Sequence, residues 1–229
     1  MNKCTPIPSS SNPWVELPSI SPFALEADRD LILKHNHTSK PDFSYNLNLH
    51  PEPFVGSLSA PIYLLALNPG LHSEDLSFHS RAECLDVMRK AAMQSPEIDS
   101  LYYLDQVFEG SPGAKWWRSK TRDLASAYGA QRVAKSLCCV QFYPYHSIKF
   151  SKVPGITSTV LYTASVVQSA IASGKTIVVM RSWKHWVSLV PQLSCYTRVA
   201  RLRNPRNPCL SVNNLGDNFS MVQQVLDAL

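Results

Sequence analysis

Four places in this chain combine residue types and spacing that can do chemistry. Asn68 closes the uncharged run Ile62-Tyr-Leu-Leu-Ala-Leu67 and opens the turn Asn68-Pro69-Gly70. Pro69 has no ladder donor and Gly70 tolerates a left-handed backbone, so an extended run must stop there. A second apolar run, 136–143, delivers Gln141, Tyr143, Tyr145 and His146. Two more deliver Arg181 with Trp183, and Arg203 with Asn204 and Asn207. Asparagine is neutral and cannot serve as a general base near neutral pH, but its amide donates and accepts at once. It can therefore hold a water or read the edge of a base. Tyr143, Tyr145 and Phe54 offer faces on which a flat ring can stack, and the arginines offer charge to phosphates.

These parts suit a nucleobase or nucleotide pocket beside a phosphate track. They suit acyl transfer poorly, because the sequence has no G-x-S-x-G elbow, and it has neither a Walker loop nor a dinucleotide fingerprint. Between 181 and 206 stand Arg181, Lys184, Arg198, Arg201, Arg203 and Arg206, uninterrupted by any acid. This is either a solvated basic face or a surface for nucleic acid. The net charge of +5 agrees with a polyanionic partner without requiring one.

The elements that must position these groups follow from periodicity. Helices are expected over 23–35, 80–94, 115–128, 157–173, 183–190 (capped by Ser182) and 217–229. Strands are expected over 61–67, 136–143, 176–180 and 197–202. Each strand is too apolar to leave one face in water, so the fold class is α/β. The expected architecture is a three-layer α/β/α sandwich around a central four-stranded, mostly parallel sheet. Residues 1–22 read as a flexible arm and 23–229 as a single domain. The Pro-rich segment 50–56 reads as a loop, and 100–115 as an excursion over the surface. In a parallel sheet the four strand ends share one edge, and ligands bind outside such an edge.

No segment reads as a signal peptide or membrane span, and the six cysteines include no C-x-x-C pair. The expectation is a cytoplasmic monomer with reduced thiols, and Cys138-Cys139 reads as strand packing. His35, His37, His72 and His79 lack ligand-like spacing and read as surface. No metal and no cofactor is expected. Trp116-Trp117 is expected to dock its helix, while segment 72–79 either shapes the pocket or crosses the surface.

Ile62-Tyr-Leu-Leu-Ala-Leu-Asn-Pro-Gly-Leu71 resembles the first motif of the uracil-DNA glycosylase superfamily, in the Asn-Pro-Gly form of its mismatch-specific uracil/thymine members. The resemblance implies that Asn68 positions the attacking water, with Pro69 and Gly70 bordering the substrate. Phe142-Tyr-Pro-Tyr-His146 is similar to the end of the family's middle strand, which helps read the base; Gln141 or His146 occupies that region. Arg203-Asn-Pro-Arg-Asn-Pro-Cys-Leu-Ser-Val-Asn-Asn214 resembles the loop that enters the minor groove. It implies DNA contacts from Arg203, Asn204, Arg206, Asn207 and Ser211, joined by Arg181. The implied partner is DNA, duplex with a flipped base or single-stranded.

The chain departs from the uracil-specific pattern. Asn68 stands where those members often carry aspartate, and the second loop has no histidine. A modified or mismatched pyrimidine, as in repair or in defence against foreign DNA, is therefore expected over uracil itself. His146 is the expected contact to the leaving base, and Asp75 or Glu52 the acid that assists. Structural alternatives exist at each place: Asn68 can simply cap its turn, His146 can be a satisfied loop histidine, and the tyrosines can be core. Two other functions share the fold: a non-catalytic nucleic-acid or nucleotide-binding module, and a hydrolase of free nucleosides.

Overall fold

The structure, a computed structural model, describes residues 11–229. Five strands form one sheet: β1 (Phe54–Val55), β2 (Ile62–Ala66), β3 (Leu137–Gln141), β4 (Thr176–Val179) and β5 (Val199–Arg201), in the order β1-β3-β2-β4-β5. Strands β2 to β5 pair in parallel, whereas β1 runs antiparallel to β3. Register sets Leu64 against both Cys139 and Val178. Side chains alternate across a sheet, so one face presents Tyr63, Leu65, Val140, Ile177 and Val179. The other presents Ile62, Leu64, Cys139, Val178 and Ala200. Both faces are buried, which is why the sequence alternation of apolar and polar residues disappears in these strands.

Helices α1 (Glu26–Thr38), α6 (Ser158–Ala172) and α7 (Trp183–Leu189) supply Ile32, Val167 and Trp186 to the first face. Helices α3 (Ala82–Ala92), α4 (Pro112–Tyr128), α5 (Ala130–Ser136) and α9 (Phe219–Asp227) supply Met88, Leu124, Val133 and Leu226 to the second. Two short helices, α2 (Asp75–His79) and α8 (Val212–Leu215), lie in the segments after β2 and β5. The result is the expected three-layer sandwich, with one strand more than expected.

The extra strand falls in the Pro-rich segment read as loop. Two residues are too few for a periodic signal, yet they pair Val55 with Cys139 and occupy the edge of β3. Gly56 then leaves the sheet at φ 113°, and a Cβ there would meet the Leu137 carbonyl oxygen at 2.7 Å. Only glycine lets the chain pass this close.

Segment 100–115 is not a surface excursion. Leu101, Tyr102, Tyr103 and Phe108 are buried among core residues, and the Leu101 amide donates to the Ala134 carbonyl at 2.8 Å. Its 3₁₀ turns, Tyr102–Leu104 and Gln106–Phe108, are shorter than any helical period.

The expected arm is docked where it is described. Asn12 accepts from the Trp14 amide and donates to the Ala92 carbonyl, and Trp14 is buried against Tyr145; residues 1–10 lie outside the described residues. Ser182 does not cap α7 with its side chain; it sits at φ 54° with its hydroxyl against His185 Nδ1. His37 and His72 are exposed, as expected, whereas His35 and His79 are buried. The five cysteines in the described residues are free, with Cys138 and Cys139 inside the sheet, and Cys4 lies outside the described residues. No helix among the described residues is long and apolar enough to cross a membrane.

Candidate functional site

The carboxyl ends of β2, β3 and β4 open into a cavity of about 540 Å³. Its wall takes Asn68 from beyond β2, Gln141 from β3 and Arg181 from beyond β4, while Pro208 comes from the loop after β5. Pro69 and Gly70 line it too, so the first motif stands at the shared edge.

Asn68 is oriented by its own donors. Its Nδ2 donates to the Pro69 carbonyl at 2.8 Å and to Ser147 Oγ at 2.9 Å. Both N–H bonds are thereby committed, and Oδ1 is left as a directed acceptor. Gln141 is the opposite case. Among the described residues its buried Oε1 has no partner, and its carboxamide makes no hydrogen bond to protein. Gln141 Oε1 is closed off from solvent, but Nε2, unbonded among the described residues, is a donor on the cavity wall that can meet an acceptor on the edge of a base or amide.

Below these groups lies a buried polar cluster. Glu52 accepts from the Tyr103 hydroxyl, and its Oε1 lies 3.4 Å from His146 Nε2 and 3.7 Å from His79 Nε2. His146 Nδ1 is 2.7 Å from the Gly70 carbonyl, and Nε2 is 3.2 Å from the His50 carbonyl. Both ring nitrogens are therefore engaged, and His146 braces the Asn68-Pro-Gly turn against the 50–52 segment. It borders the cavity without offering it the free donor expected for contact with a leaving base. Burial dominates the titration of the carboxylates, holding Glu52 and Asp75 above their ordinary range. Burial also holds the His50 ring down, at about 4, and the His79 ring well down.

The expected stacking residues are elsewhere. Phe54 is buried in β1 with its ring edge toward Tyr162. Tyr143 and Tyr145 are core residues whose hydroxyls reach the Val153 carbonyl and Asp28 Oδ2. None of the three lines the cavity. They follow or pair with a strand buried on both faces, and the interior claims them. The aromatic residues on the wall are Tyr103 and Trp117, both buried, and Trp116 and Phe150, both half-buried and so the more accessible. Adjacent residues on a helix point about 100° apart, so when Trp117 docks α4 in the core, Trp116 is free to face the cavity. That signal was present in the Trp-Trp pair. Glu52, a lone acid between two prolines, was a second.

The 203–214 loop is exposed from Arg203 to Asn207. Asn204 Oδ1 accepts from the amides of Arg206 and Asn207, Asn207 Oδ1 accepts from Lys120 Nζ, and Ser211 caps α8. Asn204, Asn207 and Ser211 are thus occupied with loop geometry, which leaves Arg206 and Arg203, whose guanidinium lies over Gly216, as the loop's exposed charges. Asn214 organises it: its Nδ2 donates to the carbonyls of Asn207 and Cys209 and its Oδ1 accepts from the Asn204 amide. No ion pair to Arg181, Lys184, Arg203 or Arg206 exists among the described residues.

The chain matches no protein-family model, no curated protein and no solved structure. Its chemistry must be read from this cavity.

Gly113 ties the cavity to the fold. It lies in the first turn of α4, where a Cβ would overlap the Tyr103 ring. Helix propensity favours Gly113→Ala by about 1 kcal/mol at most, whereas forcing a buried ring aside costs about 1–3 kcal/mol. The clash should win. Gly113→Ala is expected to lower stability by about 1–2 kcal/mol in urea denaturation. A stabilised variant would show that Tyr103 is free to move.

Proposed function

We propose that this chain is a DNA glycosylase that receives a flipped pyrimidine, modified or mismatched, and hydrolyses its N-glycosidic bond. The observation that carries the reading is Gln141, whose carboxamide has no hydrogen-bond partner among the described residues, on the wall of a cavity that also takes the oriented Asn68. The cavity volume lies within the range of small-ligand sites. Trp116 and Phe150 supply faces for the ring, and Arg181, with Arg203 and Arg206 on the loop beyond, supplies positive charge for phosphates.

A base inside a duplex is unreachable, so the nucleotide must leave the stack at a cost of a few kcal/mol, offset by these contacts. Bond breaking passes through an oxocarbenium-like sugar, as in glycoside hydrolysis. Asn68 Oδ1 accepts from the water that captures this cation. The Gln141 amide supplies a hydrogen bond as the base departs with negative charge. Asp75 is a carboxylate on the wall that can take the proton of the captured water.

The test uses duplex and single-stranded oligonucleotides carrying uracil, mismatched thymine or modified cytosines, treated with alkali after incubation. Strand scission at one of these bases is expected. Tight binding with no scission at any of them would overturn the enzyme and leave a nucleic-acid-binding module.

A further inference from the structure

Glu52, His79 and His146 each offer one ligand atom within 4.8 Å of those of the other two, and all three residues are buried. We propose that they form a binding site for a divalent transition-metal ion of the zinc or ferrous class. This goes beyond base excision and does not depend on it.

The distances fit first. Ligand atoms on a tetrahedral zinc with ordinary Zn–N and Zn–O bonds stand about 3.3 Å apart. Two edges of the triangle are already 3.4 and 3.7 Å. The third edge, between the two imidazoles, is no longer than 4.8 Å.

The surroundings fit next. A ligating histidine characteristically donates its other N–H to a carbonyl, which fixes the tautomer. His146 Nδ1 has that partner in the Gly70 carbonyl at 2.7 Å, and Nε2 stands 3.4 Å from Glu52 Oε1; an ion there takes the place of the Nε2 contact to the His50 carbonyl at 3.2 Å. The Tyr103 hydroxyl donates to Glu52 and orients the carboxylate. His79 is buried yet poorly used by the protein: among the described residues Nδ1 has no partner, and Nε2 has one hydrogen-bond contact, to the Tyr103 hydroxyl at 3.4 Å. Two imidazoles and one carboxylate are the donor set of zinc and non-haem ferrous sites. Glu52 and His146 border the cavity, which gives an ion a way in and an open coordination place on that side.

The competing arrangement is a metal-free cluster, in which His146 is held by the Gly70 and His50 carbonyls beside Glu52. Metal analysis and cobalt spectroscopy on the full chain separate the two. After chelation and dialysis, titration with Co²⁺ is expected to give one saturable equivalent with the visible d–d bands of a low-coordinate ion, and Zn²⁺ is expected to displace it. His79→Ala and Glu52→Gln are each expected to weaken Co²⁺ binding by about 100-fold or more. Glu52→Gln still offers Tyr103 an acceptor, so it decides the matter if His79→Ala does not fold. A His37→Ala, His72→Ala double variant is expected to bind as the wild type does. Metal content of the protein as purified tells zinc from iron. Absence of the bands at saturating Co²⁺, or unchanged binding in folded Glu52→Gln, would overturn the site.

Discussion

Asn68→Ala is expected to slow base release by about 10²–10³-fold while leaving DNA affinity within a few-fold. The size follows from what the side chain holds. Its two N–H bonds are spent on the Pro69 carbonyl and Ser147 Oγ, so its oxygen cannot wander, and a water bound there is presented in one direction. Alanine removes the acceptor and the direction together. It also removes two hydrogen bonds at a half-buried position, which costs about 1–2 kcal/mol of stability. Ser147 keeps its bond to the Lys149 carbonyl at 2.9 Å, so the neighbouring loop retains an anchor. Single-turnover release measured beside equilibrium binding separates the two effects. A rate within threefold of wild type would remove Asn68 from the chemistry and pass the water to Asp75.

How far the sequence could be read depended on the kind of signal. Strands β2, β3 and β4 were legible because burial on both faces turns them into continuous apolar runs with breakers at their ends. The shared edge followed from that, and with it Asn68, Gln141 and Arg181. Strand β1 and the 101–108 segment were not legible, because two-residue strands and single 3₁₀ turns have no period to detect. The aromatic assignment failed for a related reason. Tyr143 and Tyr145 stand near a strand end, but the chain after β3 continues into the interior, where Tyr45 and Trp14 meet them. Trp116 and Phe150 reach the cavity from elements whose facing depends on tertiary packing.

The buried cluster was beyond spacing arguments altogether. Glu52, His79 and His146 are separated by tens of residues, and only the sheet brings them together. His79 read as surface because α2 is a single short helix in a polar stretch; its burial is imposed by Tyr103 and the 50–52 segment, which no local pattern records. The same convergence connects the cluster to the first motif, since the carbonyl that His146 holds is that of Gly70. Groups beneath the cavity and the turn above it are one mechanical unit.

The largest loss of stability is expected at Trp186. Its side chain is fully buried on α7, with the Phe142 ring edge-on at 5.2 Å. Trp186→Ala is expected to cost about 3–5 kcal/mol, the range for deleting a large aromatic from a core that cannot collapse around the gap. For a domain holding about 5–15 kcal/mol in total, that is about a fifth or more of its stability. Trp186→Phe should cost less than about 2 kcal/mol, because the indole Nε1 is buried without a partner among the described residues and its removal relieves a desolvated donor. Urea denaturation checks both: the midpoint should fall in that order with the slope unchanged. Equal losses in the two variants would mean that the indole N–H is satisfied. Because Phe142 follows Gln141 directly, Trp186→Ala should also loosen the Gln141 amide on the cavity wall, whereas Trp186→Phe should keep it in place.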